Sequence, residues 1–321
     1  MNVSSSVLKM SFINLTKSCT RGLATSVARM ATIKNVTIIG GGQMGAGIAQ
    51  VAAQTGHRVV VVDQSDEILL KSVAGIQKSL ARVVKKKFAD DPSGGESFLK
   101  TTMAQISTAT DAESAVKEAD LVVEAIVENI KIKQNLFEKL DKAAPQNTIF
   151  ASNTSSLAIS EIAQTSQRKD RFGGLHFFNP VPVMKLVEVV RIDETSDDTF
   201  NSLVAFGQAV GKTTVSCKDT PGFIVNRLLV PYLMEAVRLM DRGDASARDI
   251  DVGMKLGAGH PMGPFELLDY VGLDVTKFIM DGWHKDFPDN PLFNPSPSID
   301  KLVAEGKLGV KTGEGFYNYK K

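Results

Sequence analysis

The stretch that most constrains this chain is short. The β-branched run Val36-Thr37-Ile38-Ile39 enters Gly40-Gly41-Gly42-Gln43-Met44-Gly45 and leaves in a pattern of small residues through Ala53. An unbroken apolar run bounded by glycine reads as a strand buried on both faces, and the segment Gln43–Gln54 reads as a helix packed closely against it. A second buried strand, Arg58–Asp63 (RVVVVD), follows, and its terminal acid lies 18 residues beyond Gly45. Gly40, Gly42 and Gly45 match G-x-G-x-x-G. In this setting Gly40 permits a tight turn, Gly42 lets backbone N–H groups approach a ligand, and Gly45 lets helix and strand pack closely.

A helix that begins at such a turn presents free N–H groups and the positive end of its dipole, which suits a pyrophosphate. Asp63 is then placed to accept hydrogen bonds from ribose hydroxyls. A carboxylate there repels a 2′-phosphate, and neither Gln64 nor Ser65 supplies a cation to offset it. The predicted cofactor is therefore NAD and not NADP.

Strands and helices continue to alternate. A long helix is expected over Glu67–Phe88, closed by a turn at Asp90-Asp91-Pro92-Ser93-Gly94-Gly95. Short strands are expected near 106–108, 121–125, 148–152 and 172–177, with a helix over Lys131–Ala144. This is the pattern of an α/β protein, a Rossmann-type doubly wound sheet with a helical insertion after its second strand. Beyond Thr213–Ser216 the β-branched runs stop. Helices are expected over 223–242, 247–256, 265–285 and 298–305, with Asp219-Thr220-Pro221 as the start signal of the first. The chain thus divides into a cofactor-binding domain over 31–218 and an all-α C-terminal domain over 219–321, preceded by residues 1–30. The helix 223–242 is apolar around much of its circumference. It is either a central core helix or a dimer interface, and the second is preferred because a domain of about 100 residues does not easily enclose such a helix alone.

The first 30 residues differ in kind from the rest. No Asp or Glu precedes Asp63, and residues 1–30 hold Lys9, Lys17, Arg21, Arg29 and nine Ser or Thr. That composition predicts a mitochondrial presequence and a matrix location, and no apolar run is long enough for a secretory signal. Of the 37 Lys and Arg these four lie in the leader, so the remaining 33 face 36 Asp and Glu. A near-neutral to acidic body offers no general field for nucleic acid. No membrane span is expected, since no stretch of about 18 apolar residues occurs. Two cysteines, Cys19 and Cys217, and four scattered histidines give no ligand spacing, so no metal site is expected.

An enzyme that oxidises an alcohol with a nicotinamide cofactor needs a base for the hydroxyl proton. His176 ends the segment Gly173-Gly174-Leu175-His176. The chain then turns at Asn179-Pro180-Val181-Pro182 and returns through Met184–Val190 carrying Glu188, so that two adjacent runs can bring carboxylate and imidazole together. A carboxylate in that place orients the ring and stabilises its protonated form. His57, His260 and His284 are read as structural.

These residues reach a recognisable pattern. The run Leu175–Val189 (LHFFNPVPVMKLVEV), Ala151–Ser156 (ASNTSS), Asp219–Arg227 (DTPGFIVNR) and Gly263–Leu267 (GPFEL) together resemble the L-3-hydroxyacyl-CoA dehydrogenases, from about residue 34 to the end. The layout is similar to that of the stand-alone mitochondrial members. The resemblance implies NAD-dependent oxidation of an L-3-hydroxyacyl-CoA to the 3-ketoacyl-CoA in fatty-acid β-oxidation, with His176 as base and Glu188 as its partner. It further implies that Ser155 and Asn226 hold the substrate, and that Glu128, Lys133, Ser155, Asn179 and Lys311 join the glycine loop and Asp63 around NAD. Positions matching Ser79 and Lys86 contact coenzyme A in that family. Arg82 joins them here by spacing, since 79, 82 and 86 share a helical face. One departure stands out: the family commonly has Tyr where this chain has His260.

Overall fold

A computed structural model describes residues 33–320. The expected leader and Cys19 lie outside the described residues. Eight strands form one sheet: β1 Asn35–Ile39, β2 Arg58–Val62, β3 Ile106–Ala109, β4 Leu121–Glu124, β5 Ile149–Ser152, β6 Phe172–Phe177, β7 Leu186–Arg191 and β8 Thr213–Lys218, in the spatial order β3-β2-β1-β4-β5-β6-β7-β8. Every neighbouring pair is parallel except β6 and β7. The chain moves outward from β1 through β2 to β3 and then returns to β4 on the other side of β1. Ligand clefts open at such reversals, beyond the C-terminal ends of the strands.

Seven helices accompany the sheet: α1 Gln43–Gln54, α2 Asp66–Lys87, α3 Pro92–Ala104, α4 Ala112–Ala115, α5 Ile130–Ala143, α6 Ile159–Ile162 and α7 Asp197–Ala209. Alternate strand residues feed two cores. Val36, Ile38, Val59 and Val61 pack with Ile48, Ile76, Leu80 and Phe206 of α1, α2 and α7. Ile39, Val62 and Val122 pack on the opposite face with Phe137 and Leu140 of α5. The period of two along each strand separates these layers. Five further helices, α8 Val225–Asp241, α9 Ala247–Gly257, α10 Pro264–Val271, α11 Leu273–Asp286 and α12 Pro297–Ala304, enclose a third core around Leu233, Phe265, Leu268 and Trp283.

The structure departs from the sequence reading in four places. The expected turn 90–95 is only half a turn, because Asp91 caps the N-terminus of α3 by accepting the Gly94 N–H, and Pro92 stands in its first turn. Helix α7 was not anticipated, since its mixed pattern has no strong apolar stripe. The expected helix 265–285 is broken at Gly272, whose φ is +106°. Finally, Asp219 does not start the following helix. Its carboxylate accepts the N–H groups of Ile159 and Ser160 at 2.8 Å each and so caps α6, while α8 begins later, at Val225.

Candidate active site

The glycine loop separates into positions that the protein itself requires and one that it does not. A β-carbon at Gly40, where φ is +111°, would lie 2.4 Å from the Ala125 carbonyl oxygen, and one at Gly45 would lie 1.8 Å from that of Gly40. Packing of β1, β4 and α1 therefore demands both. A β-carbon at Gly42 would meet no protein atom within 4 Å. The space above Gly42 is thus left for a ligand. Gly42 also begins α1 with no side-chain cap and no acid in the first turn, so the N–H groups there remain for an anion.

Around this loop runs a cleft of about 710 Å³ lined by Gly40, Gly42, Asp63, Ile126, Ile132 and Lys139, among others. Asp63 accepts the Gly41 N–H at 2.6 Å through one oxygen and the Gln64 N–H at 2.7 Å through the other, which fixes the carboxylate at the cleft wall. A loop that fits phosphate and an acid that fits ribose hydroxyls stand side by side in one cleft. The residues present fit an NAD cofactor.

Beyond β6 lies the second half of the site. The antiparallel register sets His176 opposite Glu188, and the imidazole Nδ1 sits 2.6 Å from Glu188 Oε2. Both groups are buried. The other carboxylate oxygen accepts the N–H groups of Ile224 at 3.0 Å and Val225 at 2.8 Å, at the N-terminus of α8. That helix has no acid in its own first turn, so Glu188 serves it from across the chain. Burial pushes the Glu188 carboxyl up, but the bonds from His176 and the two N–H groups outweigh it and hold the group below the usual carboxylate range. With Nδ1 committed to Glu188, Nε2 is the ring nitrogen left for proton exchange. Phe178 and Phe223 lie beside the imidazole, with centroids at 4.5 and 5.5 Å. Phe223 holds a left-handed φ of +53°, a strained state for an aromatic residue at a functional site. The nearby Cys217 thiol is pushed up to about 12 by burial and by the charges of Glu188 and Asp219, so it stays protonated and is no nucleophile at neutral pH.

Ser155 follows β5, on a loop gathered by one carboxylate. Glu128 Oε1 accepts the Ser155 N–H at 2.8 Å and the Thr154 hydroxyl at 2.7 Å. From the first turn of α8, Asn226 Nδ2 donates to the Ser155 carbonyl at 3.3 Å. His176, Glu188, Ser155, Asn226 and Glu128 are therefore brought together by β6, β7, the segments after β4 and β5, and the start of α8. Lys133 is close by but beneath them, 1% exposed, with its ammonium between Glu124 and Glu128. Asn179 is exposed on the turn after β6. Ser79, Arg82 and Lys86 stand apart on α2, which packs on α1 and α3. Lys311 is tied to Asp274 at 2.5 Å in the helical part. His260 is exposed, with Nδ1 3.3 Å from the Tyr232 hydroxyl.

Three supporting residues escaped the sequence reading. Asn153 Oδ1 accepts the Phe177 N–H at 2.9 Å and ties the end of β6 to the serine loop. Lys212, buried, donates to the carbonyls of Val181 and Met184 and so fastens the turn that carries Asn179. Glu124 is 0% exposed at the end of β4. An acid closing the apolar run Leu121-Val122-Val123 was the one available signal. Nothing in the sequence marks Lys212. Among the described residues no cluster of His, Cys, Asp or Glu is arranged to hold a metal, and no helix is long and apolar enough to cross a membrane.

A family model described as 3-hydroxyacyl-CoA dehydrogenase, NAD binding domain, matches residues 35–220, and one described as 3-hydroxyacyl-CoA dehydrogenase, C-terminal domain, matches 222–319. The chain belongs to the 3-hydroxyacyl-CoA dehydrogenase family. It is 66% identical over 297 residues to the human hydroxyacyl-coenzyme A dehydrogenase, mitochondrial, covering 92% of this chain and 95% of that protein. It is 58% identical over 309 residues to a probable 3-hydroxyacyl-CoA dehydrogenase of Caenorhabditis elegans, covering 95% and 100%. Among solved structures, the (S)-3-hydroxybutyryl-CoA dehydrogenase of Ralstonia eutropha superposes with a TM-score of 0.85 at 42% identity, covering 90% of this chain and all of that one. As a 3-hydroxyacyl-CoA dehydrogenase family member, the chain has the expected two-part build, a mostly parallel sheet followed by helices.

Proposed function

We propose that this protein oxidises L-3-hydroxyacyl-CoA to 3-ketoacyl-CoA with NAD as the electron acceptor, in fatty-acid β-oxidation. The observation that carries the reading is the His176–Glu188 pair, set in the same sheet as the strand that feeds a glycine loop with room above Gly42. NAD, when bound, accepts the hydride from the carbon that bears the hydroxyl. His176 Nε2 takes the hydroxyl proton, while Nδ1–H stays on Glu188, whose negative charge stabilises the imidazolium. Glu188 needs no proton of its own, because two backbone N–H groups and the ring share its charge. Ser155 and Asn226 hold the substrate oxygen near the ring. Gly40, Gly42, Gly45, Asp63, Glu128, Lys133, Ser155, Asn179 and Lys311 form the cofactor environment, and Ser79, Arg82, Lys86 and Ser155 receive coenzyme A. Residues 31–218 act as the cofactor-binding domain and 219–321 as the helical substrate and dimerisation domain.

The protein assembles as a homodimer through the helical part. Support comes from apolar side chains left exposed on four packed helices, including Leu228 at 70%, Leu256 at 84%, Tyr270 and Phe278. The core-facing side of α8 is covered within its own chain by residues of α10 and α11, so the exposed side is the one left for a second copy. Residues 1–30 direct the protein to the mitochondrial matrix, a reading supported by their acid-free composition.

The test mixes purified protein with acetoacetyl-CoA and NADH and follows NADH absorbance, with NAD and a free hydroxy acid, L-gulonate, in parallel to test a substrate that carries no coenzyme A. Turnover on the CoA substrate is expected, and its absence overturns the assignment. His176→Gln should fold and bind NADH yet lose most turnover.

A further inference from the structure

Under the serine loop lies a chain of charges that joins two residues of the cofactor environment, Glu128 and Lys133, to a third, Glu124, that has no part in it. Lys133 Nζ is 2.5 Å from Glu124 Oε1 and 3.0 Å from Glu128 Oε2. Glu124 also accepts the Ile126 N–H at 2.8 Å and, through its second oxygen, the Ser152 hydroxyl at 2.6 Å. Ser152 in turn accepts the Thr154 N–H at 3.2 Å. Glu124 is thereby fully engaged, and Glu128 Oε2 meets at 3.0 Å the same ammonium that Glu124 already holds at 2.5 Å.

The sum of these charges is one carboxylate in excess. Burial pushes the Glu128 carboxyl up, but Lys133, the Ser155 N–H and the Thr154 hydroxyl prevail and keep it ionised. Removing two carboxylates and an ammonium from water is costly, and a neutral apolar packing would hold the same helix and strands at least as well. The excess lies at a defined place. Glu128 binds the loop of Ser155, Asn226 binds the same loop, and the N–H of its neighbour Val225 binds Glu188 beneath His176. Proton and hydride leave adjacent atoms of one carbinol, so a ring that receives the hydride would lie beside His176 and the serine loop. That ring is cationic when oxidised and neutral when reduced.

We propose that the buried Glu124–Lys133–Glu128 chain sets the charge under the nicotinamide end of the site and favours the oxidised cofactor there over the reduced one. The proposal rests on the reading of the cleft as an NAD site. Glu124 is a positioning residue: it touches no ligand and acts through Lys133 and Ser152. A unit charge acting across about 10 Å at an effective dielectric constant of about 35 changes binding about fivefold.

The test is fluorescence titration of the full protein with NAD and with NADH, which reads the ratio of their dissociation constants without turnover. In Glu124→Gln the ratio for NAD over NADH should rise about fivefold. Glu124→Asp, which keeps the charge, should stay near the starting value. A folded Glu124→Gln protein with an unchanged ratio overturns the proposal, as does a folded Glu124→Asp protein whose ratio moves as far as that of Glu124→Gln. Should Glu124→Gln fail to fold, Glu128→Gln must show the same displacement, and an unchanged ratio there overturns it equally. A shifted ratio in a protein that does not turn over acetoacetyl-CoA removes the substrate assignment alone.

Discussion

Replacing Glu188 with glutamine tests the centre of the mechanism with almost no change in shape. The carboxylate accepts from three donors: His176 at 2.6 Å, Ile224 at 3.0 Å and Val225 at 2.8 Å. A carboxamide has one oxygen, so it cannot serve both sides. Turning its oxygen to the ring leaves its own NH2 against two buried backbone N–H groups, at roughly 1–3 kcal/mol for each unsatisfied donor. Turning its oxygen to α8 satisfies that helix and points NH2 at Nδ1, which forces the ring proton onto Nε2. The second arrangement wins on energy. It also removes the lone pair that accepts the substrate proton, and the charge that stabilises imidazolium is gone in either case. The comparable change in a serine protease triad lowers kcat by about 10⁴. Glu188→Gln should therefore retain most of its stability and its NADH affinity while kcat falls by about 10³ to 10⁴. The assay is acetoacetyl-CoA reduction at saturating NADH from pH 6 to 9, with thermal melts on the same preparation. A kcat within tenfold of the starting protein, at unchanged stability, refutes the role given to the pair. Linkage supplies a second reading. The folded Glu188 carboxyl titrates below its unfolded value, so its contribution to stability is complete above the unfolded value and is lost as pH falls through the folded one. Melting temperature should consequently fall less steeply on acidification in Glu188→Gln than in the parent.

The glycine loop yields opposite outcomes at two positions. Gly42→Ala adds a methyl to open space and should melt normally while weakening NAD about tenfold or more, ~1.4 kcal/mol, whereas Gly45→Ala drives a β-carbon into the Gly40 carbonyl and should lose about 3 kcal/mol of stability. Titration calorimetry and thermal melts separate the two, and equal effects on melting would remove the distinction. Lys86→Glu should raise KM for acyl-CoA about tenfold and leave that for NAD nearly unchanged; parallel changes would count against a coenzyme A contact on α2. Asp269 accepts the N–H groups of Phe316 and Tyr317 at 2.9 Å and the Tyr319 hydroxyl at 3.0 Å, so Asp269→Ala should cost about 3 kcal/mol and speed amide exchange of residues 315–319; unchanged exchange would show that the tail is held elsewhere.

Much of the fold was legible because it follows from local rules. Buried β-branched runs, small-residue helices and glycine spacing specify β1, α1 and β2 within a residue or two, and the cofactor class follows from Asp63. The boundaries that failed did so where a distant side chain supplied the decisive bond. Asp219 resembles a helix start in one dimension, but its carboxylate reaches α6, some 60 residues back, and Glu188 takes over the start of α8 instead.

The same division holds at the site. The sequence by itself determined which chemistry was available: a glycine loop for phosphate, an acid for ribose, a histidine and a glutamate on two runs that a turn could fold together. Only the tertiary structure decided how these groups are held. The register that sets His176 across from Glu188, the N–H groups of α8 that stabilise that glutamate, and the buried carboxylates around Lys133 all join segments far apart in the chain. Hydrogen bonds and ion pairs act over about 3 Å, so sequence spacing carries no record of them until the strands have found their order.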